Sequence, residues 1–266
     1  MKKTRWLFVL PLLLLFNCDE NNDLVLFSIE DDKKLGAQVA AEIDNNPSEF
    51  PVLDENEFSD AYNYLNGIKN EILNSGEVTY ADEFVWELKI IENDNVLNAF
   101  ATPGGYIYVY TGLIKFLDKE DDLAGVLGHE IAHADQRHSS KQLQRVYGIQ
   151  ILLSIILGQD PSALQEIVAG LAGNLATLKF GREAESEADE YSVIYLAETD
   201  YQCNATFSFF QKMIDTQQTG QTPAFLSTHP NPEDRVADIN AKANQLNCDI
   251  TPLNPASYES FKVMLP

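Results

Sequence analysis

Apolar residues recur at helical spacing over two segments near the start of the chain. In Ser28–Asn46 the repeat consists of Leu35, Val39 and Ile43, which share one helical face. Phe58–Leu73 shows the same spacing. Each segment is therefore predicted to form an amphipathic helix with one face in a core.

The pattern then changes to that of extended chain. Phe84–Ile91, Val96–Ala101 and Tyr106–Tyr110 are rich in aromatic and β-branched residues, which favour strands. The last two flank a turn sequence, Thr102–Gly105, in which proline precedes two glycines. Three short strands are therefore predicted.

Helical patterns fill most of the chain after these strands. They are predicted over Glu120–His138, Lys141–Leu157, Pro161–Leu178, Glu183–Thr199, Asn204–Gln217 and Asn231–Leu246. Since helices precede and follow one group of strands, the expected fold class is α+β, mainly helical with a small β-sheet. Val146–Leu157 is apolar but only about 12 residues long, so a buried or lid helix is favoured over a membrane span.

The N-terminus has the pattern of a bacterial export signal. Three basic residues precede the apolar run Trp6–Phe16, which is too short to span a bilayer as a mature helix. The run leads into Leu15–Cys18, which resembles a lipobox, where cleavage leaves Cys18 to be lipid-modified. An ordinary secretory signal with an unrelated cysteine is the alternative.

Composition and charge narrow the classes of partner. The 266 residues are 45% hydrophobic, which is typical of a globular protein, and 18 Lys and Arg stand against 41 Asp and Glu. The net charge of −23 argues against a nucleic-acid partner and also repels anionic lipid headgroups. Attachment to a membrane is therefore expected to depend on the lipid and not on a polybasic surface.

The segment Gly128–His133 contains the motif HExxH within a predicted helix. Residues four apart lie on one helical face, so the imidazoles of His129 and His133 can reach one metal ion. Glu130 lies one position along and can hold a water on that ion. Solvated histidines on a surface helix are the alternative, and apolar neighbours such as Ile131 argue against it.

A third ligand is expected downstream, because no histidine follows at the spacing of the elongated motif HExxHxxGxxH. Glu185 and Asp189 are again four apart on one predicted helical face. Glu185 can complete a site of two histidines and one glutamate for zinc. Asp189 can accept the free ring N–H of a ligand histidine and fix its orientation. The other acidic residues of this segment are expected to be solvated.

Further motifs surround these two helices in a set order. They are Asn98–Val109, Gly112-Leu113, Gly128–His133, Arg182 with Glu185–Asp189, Thr228-His229-Pro230 and Arg235-Val236. Over roughly residues 55 to 245 this order resembles metallopeptidase family 48. That family includes the CAAX prenyl endopeptidases, the HtpX-like proteases and several bacterial envelope lipoproteins.

The resemblance implies a zincin-like (gluzincin) fold with one zinc ion per chain, held by His129, His133 and Glu185, and with Glu130 as the catalytic acid and base. It also implies that an edge strand flanks the active-site helix and offers its backbone to an extended substrate. The residues expected at this edge are Asn98, Ala99, Phe100 and Ala101, with Gly104 and Gly105 permitting close approach in the turn.

Three further polar residues lie in or near these motifs. The resemblance implies that His229 either occupies the fourth zinc position and holds the enzyme off, or stabilises the tetrahedral intermediate; a structural loop residue is the alternative. Arg235 can supply positive charge near the oxyanion, or pair with Glu233 or with the Glu185–Asp189 helix. His138 is interpreted as helix-end structure, where a cation is favoured.

The predicted function is that of a zinc endopeptidase of the bacterial cell envelope, which cleaves extended or misfolded protein segments in quality control or assembly. The alternative is a gated or inactive assembly factor that retains the zinc site. The expected organisation is a lipoprotein signal peptide over residues 1–17, a lipid-anchored tether over 18–27, a zinc metallopeptidase domain over 28–250 and a C-terminal tail over 251–266. The membrane that carries the anchor (inner, outer or cell surface) and the oligomeric state stay open.

Two thiols remain once Cys18 is modified, at Cys203 and Cys248. An exported chain enters an oxidising compartment, where a remaining pair tends to be bridged. Cys203 precedes one predicted helix and Cys248 follows another, so antiparallel packing of these helices brings the two cysteines together. We therefore expect a disulfide, with two buried free thiols as the alternative.

Overall fold

The computed structural model describes residues 26–173, 179–218, 224–230, 232–253 and 256–266. The proposed signal peptide, Cys18 and most of the tether lie outside the described residues. The helices are α1 Ile29–Asp44, α2 Ser59–Leu73, α3 Thr111–Phe116, α4 Glu120–Asp135, α5 His138–Tyr147, α6 Ile149–Ile156, α7 Pro161–Gly173, α8 Arg182–Leu196, α9 Ala205–Gln218, α10 Phe225–Thr228, α11 Pro232–Leu246 and α12 Ala256–Lys262. The strands are β1 Glu87–Ile91, β2 Ala99–Thr102 and β3 Tyr106–Tyr110. The predicted α+β class, mainly helical with a small sheet, is confirmed.

The three strands form one sheet in the order β1–β3–β2. β1 pairs with β3 in parallel, and β2 pairs with β3 in antiparallel register, with Phe100 opposite Tyr108. β2 is therefore an edge strand, and it contacts α4 and α5, as the fold prediction requires. β1 begins at Glu87, later than predicted, because the positive φ of 51° at Trp86 interrupts extended chain.

Helix α4 forms the centre of the molecule. Every residue from Asp121 to Asp135 is buried, and the helix packs against α2, α8 and α9. Gly125 allows the close approach of α9, since a Cβ there would lie 2.6 Å from the backbone nitrogen of Thr206. This central position holds the HExxH motif rigidly within the core.

The helix predicted over Glu120–His138 is not continuous, and that prediction is wrong. α4 ends at Asp135, and Arg137 adopts a left-handed φ of 59° before α5 begins. The Arg137 guanidinium donates hydrogen bonds to the carboxylate of Asp32 and to the carbonyl of Phe27, each at 2.6 Å. A buried ion pair with α1 therefore holds the break, and no local pattern in the sequence indicates it.

The predicted helix over Lys141–Leu157 is also divided, at Gly148, where a φ of 77° favours glycine. The part after the break, α6, buries only Leu152 and Ile155. No described helix by itself is long and apolar enough to cross a membrane; α6 and α7 reach that length and hydropathy only together, across a bend of 105°. The last five residues of the helix predicted over Pro161–Leu178 lie outside the described residues.

Cys203 and Cys248 form a disulfide, which confirms the predicted bridge. Cys203 lies just before α9 and Cys248 just after α11, and these two helices pack against each other. The segment 251–266, expected as a tail, contains α12. Tyr258 and Phe261 of this helix are buried in the larger core cluster.

Candidate metal centre

Two imidazoles from the C-terminal half of α4 face each other in the interior. His129 and His133 lie one turn apart, and both are completely buried. Their Nε2 atoms are 3.0 Å apart. Ring nitrogens this close on one helical face converge on a single point, as two ligands of one ion must.

Glu185 of α8 and His229, directly after α10, complete the cluster. The Glu185 carboxylate oxygens lie 3.7 Å from Nε2 of His129 and 3.7 Å from Nε2 of His133. Nδ1 of His229 lies 3.2 Å from Nε2 of His129 and 3.0 Å from Oε1 of Glu185. One ligand atom from each of the four residues lies within 4.8 Å of the others. Three imidazoles and a carboxylate are a donor set that suits zinc.

Burial sets the protonation states that metal binding needs. It lowers the pKa of His129 to about 4 and the pKa of His133 well below its usual range, so both imidazoles are neutral at pH 7. Burial also raises the pKa of Glu185, but His229 and Arg235 outweigh it and lower that pKa below its ordinary value. Neutral nitrogens and an ionised carboxylate are the forms that ligate a divalent cation.

Glu130 lies beside this cluster. Neither of its buried carboxylate oxygens has a hydrogen-bond donor among the described residues. Oε1 lies 3.5 Å from Nε2 of His229, and burial raises the pKa of Glu130 to about 7. A buried carboxylate without a donor is costly, and a water on a bound cation is the partner that would satisfy it. The residues present therefore fit a zinc ion.

Asp189 and Arg235 support the ligands from α8 and α11. Oδ1 of Asp189 lies 3.0 Å from Nδ1 of His129, the contact predicted for a carboxylate that orients a ligand histidine. Arg235 donates to both oxygens of Asp189, from Nε at 2.5 Å and from Nη2 at 2.6 Å. Its Nη1 lies 2.5 Å from Oε2 of Glu185. Of the roles considered for Arg235, the structure shows the ion pair with α8; the side chain of Glu233 lies outside those described.

Sequence reasoning missed the role of His138. Its Nδ1 lies 3.0 Å from Nδ1 of His133, and its Nε2 lies 2.9 Å from Oε2 of Glu187. The interpretation of His138 as the end of the active-site helix is wrong, because the left-handed Arg137 starts a new helix and turns the imidazole back. Glu187, expected to be solvated, is its partner. On the other side, the ring of Phe180 stacks on His133 with centroids 4.0 Å apart.

The edge strand β2 lines a partly open cavity next to the cluster. Phe100 and Ala101 form one wall, His229 and Phe180 another, and apolar side chains of α5 and α7 a third. The hydroxyl of Ser139 donates a hydrogen bond to the Ala101 carbonyl at 2.7 Å and joins α5 to the strand. Ala99 is buried within β2, and Asn98, just before it, is also buried.

The sequence predicted that the two glycines of the β2–β3 turn allow close approach of a substrate. In the structure, other parts of the same chain lie against them instead. A Cβ at Gly104 would lie 2.8 Å from Cα of Lys33, and a Cβ at Gly105 would lie 2.9 Å from the ring of Trp86. Both have positive φ, of 79° and 87°. They therefore allow α1 and Trp86 to pack closely against the turn.

Residues 61–243 match the sequence profile of Peptidase family M48. The chain is 31% identical over 196 residues to the beta-barrel assembly-enhancing protease of Yersinia pestis. This alignment covers 69% of this chain and 39% of that protein. It is 32% identical over 184 residues to the protein of the same name from Escherichia coli K12, covering 65% and 36%. It is 30% identical over 164 residues to the mitochondrial metalloendopeptidase OMA1 of Schizosaccharomyces pombe, covering 61% and 48%. The chain thus spans less than half of the length of each of these relatives.

Proposed function

The chain belongs to peptidase family M48, and on that basis we propose that it is a zinc-dependent endopeptidase that cleaves extended or misfolded protein segments in the bacterial cell envelope. The observation that carries this proposal is the convergence of His129, His133 and Glu185 beside a buried Glu130 that lacks a donor. When bound, zinc polarises the scissile carbonyl and acidifies a water.

The chain's own residues account for the proton transfers. Glu130 accepts a proton from the attacking water and returns it to the leaving amine, because both of its oxygens are free of other donors. Burial raises its pKa to about 7, and a cation bound beside it would lower that pKa, which favours the ionised form that accepts the proton. Asp189 and Arg235 hold His129 and Glu185 in place during this step.

Extended segments are the substrate class that the cleft supports. Among the described residues β2 pairs only with β3, and another strand could add to its outer edge by main-chain hydrogen bonds once Ser139 releases the Ala101 carbonyl. The neighbouring cavity is lined mostly by apolar groups such as Phe100, Leu143 and Phe180. We therefore propose that cleavage occurs next to an apolar side chain and otherwise tolerates many sequences.

The Glu130→Gln variant tests this function. We expect it to retain zinc, since none of the ligands changes, and to lose casein cleavage by about 10²- to 10⁴-fold, because the proton acceptor is removed. Zinc content by elemental analysis and release of labelled peptides measure the two effects. Glu183→Gln, on the exposed part of α8, is the matched control and keeps wild-type rates. Wild-type cleavage by Glu130→Gln would refute the mechanism.

We also propose where in the cell the protein is located. The lipobox-like segment ending at Cys18 supports a lipid-anchored protein of the cell envelope, with unfolded proteins as its partners. Fatty-acid incorporation into the full chain, and its loss in the Cys18→Ala variant, test the anchor. Equal incorporation in both proteins would contradict it.

The position of His229 favours a second form of the function, in which the site is gated. Nδ1 of His229 lies among the ligand atoms of His129 and Glu185, where it can occupy the fourth zinc position that a water needs. In this form the protein acts as a binding or assembly factor until His229 moves away.

The His229→Ala variant separates these forms. We expect faster casein cleavage than in the wild type, because the fourth position becomes available to water. Ser227→Ala, an exposed residue of α10, is the control and keeps the wild-type rate. If wild-type and His229→Ala proteins both bind zinc and neither cleaves casein, the chain is a binding factor. A His229→Ala protein that is slower than an active wild type assigns His229 to transition-state stabilisation instead.

A further inference from the structure

The large exposed apolar side chains of the described residues are concentrated in one region. Five of the ten belong to the entry into α1 and to helices α5 and α6. We call them the apolar tip: Leu26, Val146, Ile151, Leu153 and Leu157. Leu157 is 67% exposed, at the end of α6. Scattered exposed apolar residues are ordinary in globular proteins. A cluster of them is typical of a surface that binds a membrane or another molecule.

Hydrogen bonds place these residues on neighbouring elements. The backbone N–H of Leu26 donates to Oε1 of Gln144 at 3.2 Å, which sets the start of the described chain against the last turns of α5. Nε2 of Gln38 in α1 donates to the carbonyl of Ile156 at 3.1 Å. The entry of the chain, α5 and α6 therefore form one continuous surface.

Helix α6 carries apolar side chains on its buried side and on its exposed side, where Gln150 is an exposed polar residue among them. Leu152 and Ile155 are buried in the smaller core cluster, together with residues of α1 and α7. Leu153 and Leu157 are exposed, four residues apart, and lie on one outward face. Such a short helix cannot span a bilayer, but an outward apolar face suits shallow burial at the boundary of headgroups and acyl chains.

The charge of this region differs from that of the whole protein. No Asp or Glu occurs between Asp135 and Asp160, although the chain carries a net charge of −23. Arg145 is exposed in the last turn of α5. Asp160 bounds the region, and its carboxylate accepts a hydrogen bond from the backbone N–H of Ala163 at the start of α7. Over residues 136–159 the chain thus carries no carboxylate that would repel phosphate groups, whereas Glu30 is exposed near Leu26 at the entry into α1.

The proposed lipid anchor is close to this surface along the chain. Seven residues separate Cys18 from Leu26. Even fully extended, that connection reaches about 28 Å. A diacyl anchor at Cys18 would therefore hold the apolar tip within reach of the bilayer at all times.

We propose that the apolar tip docks into the lipid bilayer that carries the anchor, with Leu153 and Leu157 among the upper acyl chains and Arg145 at the headgroup phosphates. This proposal rests on the anchor proposed at Cys18, and it adds a second point of membrane contact. Ser139 and Leu143 of α5 line the cavity beside the zinc site. Docking therefore places the cleft at the membrane surface, where it meets polypeptide segments that lie against the bilayer.

Spin labels test the docking in the full chain. Lipidation occupies Cys18 and the disulfide occupies Cys203 and Cys248, so one introduced cysteine is the only free thiol. We would label the Leu153→Cys, Leu157→Cys and Val263→Cys variants and reconstitute each into phosphatidylethanolamine–phosphatidylglycerol vesicles. Val263 is the matched control, since it is 82% exposed and follows α12, which packs in the other core cluster. Thermal unfolding of each variant before reconstitution verifies the fold without reference to activity.

The readout is the accessibility of each label to oxygen, which dissolves in the bilayer, relative to a water-soluble nickel chelate. We expect this ratio to be several-fold higher at positions 153 and 157 than at 263. Equal ratios at all three positions in vesicle-bound protein would overturn the docking and leave the anchor intact. Labels shielded from both reagents would overturn it in favour of a covering protein. Protein that separates from the vesicles on flotation would overturn anchor and docking together, while the casein assay reports independently on the peptidase.

Discussion

Individual residues at the candidate zinc site each contact more than one other residue of the site. Asp189 accepts from His129 on one side and pairs with the Arg235 guanidinium on the other. Arg235 in turn lies against Glu185, a ligand on the same helix as Asp189. A buried cation between two carboxylates lowers the pKa of both and fixes their positions. The geometry of the ligands therefore depends on residues that do not touch the ion.

This arrangement predicts the effect of Asp189→Asn. We expect zinc affinity to fall by about 10- to 100-fold, because the amide is a weaker acceptor for the His129 N–H and leaves Arg235 short of one negative partner. Competition with a fluorescent zinc chelator measures the change. The control is Glu190→Gln, whose carboxylate is exposed and pairs with Lys242 away from the zinc ligands. Unchanged affinity in Asp189→Asn would show that the contact with His129 has no effect on binding.

At the scale of elements, close backbone contacts decide where the helices lie around the sheet. Helix α1 reaches the β2–β3 turn only because Gly36 has no side chain. A Cβ there would lie 1.9 Å from the carbonyl oxygen of Pro103 and 2.8 Å from the ring of Tyr106. The same helix supplies Asp32, which holds Arg137 at the break after α4. The position of α1 therefore affects the segment that carries His138.

Two glycine substitutions separate this packing from helix propensity. Gly36→Ala is expected to destabilise the protein by about 1–3 kcal/mol, since the added methyl must displace backbone. Gly67→Ala, on the exposed face of α2 with no atom within 4 Å of the new Cβ, is expected to stabilise it by up to about 1 kcal/mol. Urea unfolding of both variants measures the free energies. Equal changes of the same sign would contradict the close approach of α1.

At the scale of the whole molecule, a disulfide joins two segments of the C-terminal part of the chain. The Cys203–Cys248 bridge joins residues 45 positions apart, and α9 and α11 pack between them. Cys203 is buried, and its backbone N–H donates to the carbonyl of Asp249 at 2.8 Å. Because α11 also carries Arg235, the bridge restrains the helix that supports the zinc ligands.

Removal of this bridge is expected to lower the free energy of unfolding. For a loop of this length the chain-entropy model gives about 4 kcal/mol. The Cys203→Ala/Cys248→Ala double variant should therefore unfold at a clearly lower urea concentration than the oxidised wild type. A reductant should shift the wild type toward the double variant and leave the double variant unchanged. Equal midpoints for all these samples would show that the bridge adds no stability.

Much of the metal site could be predicted from the sequence, because its spacings are local. His129 and His133, and again Glu185 and Asp189, are pairs four residues apart, and a helix places such pairs on one face wherever it lies. The same holds for the runs of aromatic and β-branched residues that predicted the strands and for the two cysteines at matching ends of two helices.

Local spacing does not show which distant residues meet these pairs: the resemblance to family 48 indicated His229, and only the tertiary structure showed His138. His229 is 100 positions from His129, and no local period relates the two. His138 reaches His133 only because Arg137 turns the chain, and Arg137 is held by Asp32 from another helix. Likewise, both sides of α6 carry apolar residues in the sequence, and only the packing of α1 shows which side is left exposed. Contacts between separate elements depend on the packing of the whole core, whereas contacts within one element follow from the geometry of a single helix or strand.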